Sequence, residues 1–267
     1  MFDHIAKEDF DRALTKGLLS RVLAFLRGKS RDLLPFDEVR QRLPIQGQRY
    51  IGNVIVPIKN IVGSQGRYLD FDRAFLPLQS RTKERWASID RAHLLQVDLP
   101  PVELYKIGDI YFVKDGNHRV SVARERGQEF IDAHVVEIIV PVSMTVDTHV
   151  DDLELKEKQA RFLDQTGLHR SRPDGPYETR VLDTYDELME HIRTHRWYLG
   201  EKLDRQPTLE EAAESWYDHV YAPLVQAIQA QGLTHTLSNV DEPDLYLWIA
   251  KYQWYLRIPH AQTELVN

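Results

Sequence analysis

Five apolar residues spaced four apart, Phe10, Leu14, Leu18, Val22 and Leu26, mark the first helix of this chain and give it one apolar stripe. Gly28 is its expected stop, and Pro35 begins a shorter helix ended by Pro44. The period then changes. Val54-Ile55-Val56 and Val102-Glu103-Leu104-Tyr105 read as strands. The Gly108-Asp109 turn leads from the second of these into Ile110-Tyr111-Phe112-Val113 as a hairpin. Helices fit near 82–96 and 117–127, and a closing strand near 131–140 carries Ala133, Val135, Glu137 and Ile139 on one face. Between the first strand and the long helix lies an irregular loop, 63–77, longer than most connections and a natural place for function.

Beyond residue 150 the pattern is helical. One helix spans about 151–165 and stops at Gly167. Thr184 with Glu187, and Thr208 with Glu211, read as capping boxes. The first of these helices should end near Gly200; the second should kink at Pro223 and close at Gly232. Asp241 with Pro243 opens a last helix carrying Leu247, Trp248, Tyr252, Trp254 and Tyr255. Four of the five tryptophans follow residue 196, and such an aromatic stripe reads as core or as the interface of a homo-oligomer. Three zones result: a helical extension over 1–48, an α/β core over 49–142, and a mainly helical region over 143–267. The fold class is α+β.

Composition narrows the functional classes. At 42% hydrophobic and 28% charged residues, the chain reads as an ordinary globular protein. It has no cysteine, hence neither disulfides nor thiolate metal sites. No apolar run is long enough for a bilayer and the charged N-terminus is unlike a signal peptide, so no membrane and a cytoplasmic location are expected. The net charge is −7. Its distribution is uneven. Residues 1–50 hold ten Lys/Arg against seven Asp/Glu, including Arg21, Arg27, Lys29 and Arg31, whereas residues 208–267 hold two against eight. Nucleic acid is therefore disfavoured as a partner, most strongly at the acidic end.

The chemistry concentrates at Asp115-Gly116-Asn117-His118-Arg119, between a strand and a helix. Glycine lets backbone approach a ligand, the first free amides of a helix attract an anion, and arginine supplies a planar charged fork. This order of groups suits a phosphate. Asp115 is open to two readings, an N-cap or a ligand for Mg²⁺ and a base. Asp70 and Asp72 can likewise be turn formers or Mg²⁺ ligands. His191 and His195, four apart, suggest a zinc site only weakly, with no third ligand in view.

Ser64-Gln65-Gly66-Arg67, the helical stretch from Arg85-Trp86 to Leu94-Leu95-Gln96, Pro100-Pro101-Val102, and Gly116-x-x-Arg119-x-x-x-Ala123 follow in one order. That order resembles the ParB/sulfiredoxin superfamily over roughly 54–139, and the Asp-Gly-x-His-Arg version resembles the ADP-dependent free serine kinase branch. The resemblance implies a ParB/sulfiredoxin-like core. It implies phosphate or nucleotide binding (ADP, ATP or CTP, with Mg²⁺) by Gly116, Asn117, His118 and Arg119, closed by Gln65 and Arg67. If such a pocket is catalytic, phosphoryl transfer or phosphoester hydrolysis is its natural class, with Asp115 and His118 as the candidate catalytic residues and Asp115 as the candidate metal ligand. The partner is then a nucleotide or a phosphorylated small molecule. The alternative is a ParB-like DNA-associated regulator. The chain departs from the pattern in three places. It lacks the reactive cysteine of sulfiredoxins; Ser121 replaces the second arginine of partition proteins, whose helix-turn-helix is also missing; and Ser64-Gln65 stand where the serine kinases have a glutamate.

Overall fold

A computed structural model describes residues 2–27, 30–237 and 240–257. The chain divides into two compact units, Met1–Leu153 and Glu154–Asn267. In the first, six strands form one mixed sheet of order β1-β3-β5-β4-β6-β2. These are β1 (Leu34–Pro35), β2 (Gly47–Pro57), β3 (Ile61–Ser64), β4 (Val102–Ile107), β5 (Ile110–Asp115) and β6 (Phe130–Ile139). The hairpin at Gly108-Asp109 is present as β4–β5, with Ile107 opposite Ile110. β1, β3 and β5 are parallel neighbours, so their carboxyl ends share one edge of the sheet. Such an edge is where open α/β sheets bind ligands.

The helices of this unit are α1 (Phe2–Leu26), α2 (Phe36–Arg42), α3 (Lys83–Leu94) and α4 (Asn117–Glu125). Phe10 of α1 packs edge-on against Trp86 of α3, ring centroids 5.7 Å apart, and both are fully buried. Arg126, just beyond α4, donates to both oxygens of the buried Asp90 in α3 and to Asp9 in α1. One guanidinium thereby ties three helices together. Trp86 Nε1 donates to Ser121 Oγ at 2.8 Å, and Ser121 Oγ donates to the Phe75 carbonyl at 2.6 Å. Ser121 is thus a buried structural link.

Several expectations change. Residues 54–56 are only the end of an eleven-residue strand, paired along its length with β6. β1 and β3 were not read from the sequence; two and four residues are too short to show a period. The stripe on α1 does not hold one face. A spacing of four advances about 40° past a full turn each time, so Phe10 and Leu26 end nearly opposite each other. Phe10 is buried, whereas Leu18, Val22 and Leu26 are exposed. The docked face is Ala6, Phe10, Ala13 and Gly17, where a Cβ on Gly17 would stand 2.7 Å from the Pro77 carbonyl. Gly28 and Lys29 lie outside the described residues.

The second unit is helical: α5 (Leu153–Thr166), α6 (Leu168–Ser171), α7 (Thr184–Leu203), α8 (Leu209–Trp216), α9 (Ala222–Ala230), α10 (Leu233–Thr236) and α11 (Glu242–Arg257). A π-turn, Tyr217–Tyr221, joins α8 to α9 just before Pro223. The Thr208–Glu211 capping box forms. The Thr184 box does not, because Asp183 takes the cap position and the Thr184 hydroxyl donates to Asp244 at 2.5 Å. α7 runs three residues past Gly200. The aromatic zone divides. Trp216, Tyr221 and Tyr246 are core, while Trp248 and Tyr252 are exposed and stacked at 5.7 Å. The side chains of Trp254 and Tyr255 lie outside the described residues.

Candidate functional site

β3 and β5 run side by side, with Ser64 opposite Val113, so the loop after Ser64 and the turn after Asp115 emerge together. Gly116 makes that turn at φ +105, in the left-handed region. A Cβ there would lie 2.6 Å from Val102 Cγ1, so strain and contact both exclude a side chain. The first intrahelical hydrogen bond of α4 runs from the Val120 amide to the Gly116 carbonyl, and no side chain caps the helix. The amides of Asn117, His118 and Arg119 precede that bond and point out of the helix at its positive end.

The two strand ends are bonded to each other. Ser64 Oγ donates to Asn117 Oδ1 at 2.7 Å, with both residues buried. The Gln65 amide donates to the Val113 carbonyl at 2.9 Å. Gln65 Nε2 reaches Asp37 Oδ1 at 3.3 Å, which brings in the first turn of α2 beyond β1.

His118 packs edge-on against Phe71 at 5.3 Å, and its buried Nδ1 has no hydrogen-bond partner. Burial pushes its pKa down to about 4, helped by the guanidiniums of Arg85 and Arg67 and opposed by Asp70. The ring is therefore neutral at pH 7. Arg67 and Arg81 both donate to Asp70, at 3.2 and 2.5 Å. Arg85 is exposed and, among the described residues, has no ion pair.

Arg119 is placed differently from the expectation. Its guanidinium donates to the Pro100 and Pro101 carbonyls at 2.5 and 2.8 Å, and to Asp115 Oδ2 at 2.5 Å. It lines a cavity of about 550 Å³ together with Pro100, Pro101 and Val122, not the space beside His118. The structure thus brings His118, Arg67 and Gln65 to the sheet edge and uses Arg119 to clamp the turn. Asp72 is a turn former: its Oδ1 accepts the Ala74 and Leu76 amides, both at 2.9 Å. Among the described residues no three His, Cys, Asp or Glu side chains cluster to hold a metal ion. His191 and His195 bind Tyr246 and Ser215 instead. Asp37 has no signal in the sequence, because it depends on the two-residue β1; Ser64 and Arg85 stand in the motif order, but Ser64 acts through a partner 53 residues away and Arg85 through its charge near His118.

Among the described residues no helix is long and apolar enough to cross a membrane. The chain matches no protein-family model, no curated protein and no solved structure.

Proposed function

We propose that the first unit binds the phosphate of a nucleotide or another phosphorylated small molecule at the N-terminus of α4. The observation that carries this is the uncapped amide cluster Asn117–Arg119 at a left-handed Gly116, beside neutral His118 with Arg67 and Arg85 near it. Adjacent parallel strands ending in the 65–67 loop and the Gly116 turn support the ParB/sulfiredoxin-like reading. The amides bind the phosphate oxygens, His118 donates a hydrogen bond, and Arg67 and Arg85 neutralise charge. Arg119 holds the turn through Asp115 and the two proline carbonyls.

Phosphoryl transfer or phosphoester hydrolysis is the chemistry that such a site suits, because positioning and charge neutralisation supply most of the catalysis. Asp115, exposed at the turn, is the base or the one protein carboxylate for a Mg²⁺ that arrives with the phosphates. Any self-association through the helical region would use exposed Trp197, Tyr198, Trp248 and Tyr252, since Trp216 is core. The test is calorimetric titration with ADP, ATP, CTP and inorganic phosphate, with and without Mg²⁺. Wild type should bind at least one of them, and Arg67→Ala/Arg85→Ala should bind it at least tenfold more weakly. Equal affinity in a folded double variant would refute the site.

A further inference from the structure

At the opposite end of α4 from the Gly116 turn lies a second cavity, about 420 Å³, between the last turns of α1 and the 73–74 segment. Its lining includes Arg27, Arg31, Arg73, Arg124 and His149, with Leu23 and Ala24 as an apolar floor. Four guanidiniums around one concave space is an unusual concentration in a chain of net charge −7. It shares no lining residue with the α4 N-terminus.

The cations are poorly matched by acids. Arg73 Nη2 donates to the Val146 and Thr148 carbonyls at 2.7 and 2.6 Å, while its buried Nη1 has no acceptor. Arg124 donates to the Arg73 and Ile58 carbonyls at 2.8 and 3.1 Å. Among the described residues neither forms an ion pair. Burial lowers both pKa values; Arg124 lowers that of Arg73 further, and Arg31 lowers that of Arg124. The acids facing them are Asp72, Asp147 and Asp152. Asp72 already accepts two amides and stands 3.7 Å from Arg31. Asp152 is engaged by the His149 amide at 2.8 Å. Arg27 has no ion pair among the described residues.

We propose that this cavity is a second anion site, which takes the di- or triphosphate group of a small molecule. Arginine forks match phosphate oxygens in pairs, and several of them around one pocket suit linked phosphates better than a single carboxylate. A nucleic-acid backbone fits less well. Arg21 in α1 and Arg27 just beyond it alternate with exposed Leu19, Val22, Phe25 and Leu26, so among the described residues no continuous basic stripe leads away from the pocket.

The test is titration of the full chain with inorganic triphosphate, without divalent metal, at physiological salt. Arg27→Gln/Arg31→Gln is the informative variant, because Arg73 and Arg124 also hold backbone carbonyls. Wild type should bind, and the double variant should lose this binding event by about a hundredfold, a factor of about ten for each charge-assisted contact. Arg67→Ala/Arg85→Ala should retain it. Without ligand, Arg27→Gln alone should melt at the same temperature as wild type or higher, because a like charge is removed, whereas Arg31 also faces the buried Asp72 at 3.7 Å. Unchanged triphosphate affinity in the double variant, or no binding to wild type, overturns the proposal. So does a duplex DNA that binds more tightly than triphosphate and is lost in the same variant.

Discussion

Ser64 Oγ donates to Asn117 Oδ1 at 2.7 Å inside the protein, and so fastens the end of β3 to the first residue of α4. The bond sets where the 65–67 loop lies relative to the α4 amides. Ser64→Ala leaves a buried amide oxygen without its donor, which costs about 1–3 kcal/mol. Urea denaturation should show that loss. Phosphate affinity should fall with it, although neither group need touch the ligand.

Gly116 is required by its φ of +105 and by the approach of Val102. Gly116→Ala meets left-handed strain of about 1–2 kcal/mol and overpacking of about 1–3 kcal/mol. A loss of stability of about 2–5 kcal/mol is expected by thermal or chemical denaturation, together with loss of phosphate binding. An alanine variant as stable as wild type would show that the turn is not held as described.

His118 gives the protein an acid-sensitive step. In the unfolded chain it titrates near 6.5; in the folded chain burial and the nearby guanidiniums hold it near 4. Between those values the unfolded state binds more protons. Stability should therefore fall as pH drops from 6.5 towards 4, by up to about 3 kcal/mol, and His118 should contribute no slope above that window. Asp72 works the other way, since burial raises its pKa. The difference between wild type and His118→Gln in urea melts at pH 7.5, 5.5 and 4.5 isolates the histidine. Parallel curves would mean that the ring is not buried neutral.

Asp115 and Arg119 form an i,i+4 pair at 2.5 Å, with the carboxylate exposed. Such pairs contribute little, so Asp115→Asn should change stability by less than about 1 kcal/mol. Phosphate affinity should rise, because a negative charge at the turn is removed. Turnover of a nucleotide substrate should drop by about 10²–10⁴, the usual cost of losing a general base. Full turnover in the variant would leave Asp115 a turn residue only.

Arg119→Ala removes the clamp on the Pro100 and Pro101 carbonyls rather than a phosphate contact. It should lower the melting temperature, and phosphate affinity should fall less than in Arg67→Ala/Arg85→Ala. Calorimetry on both variants separates positioning from direct contact.

Local features were legible from the chain alone. The Gly108-Asp109 hairpin, the strand-glycine-helix turn at Gly116, the Thr208–Glu211 cap and the long helix from Lys83 depend on neighbours within a few residues, and their signals lie in that span. The family resemblance implied that Gln65 and Arg67 close on the Gly116 turn, and β3 and β5 end side by side there. Long-range packing decided the rest. β1 and β3 exist because longer strands and α2 hold them, so no period marks them. The stripe on α1 split because a four-residue spacing winds around the helix, and the close contact is made where Ala6, Ala13 and Gly17 are small enough for it. Thr184 gave up its cap to reach Asp244, sixty residues away. Arg119 turned from ligand contact to clamp because the carbonyls that it binds come from the chain before β4. The four arginines of the second cavity come from the segment just after α1, the 73–74 segment and α4. Only the folded chain sets their charges side by side.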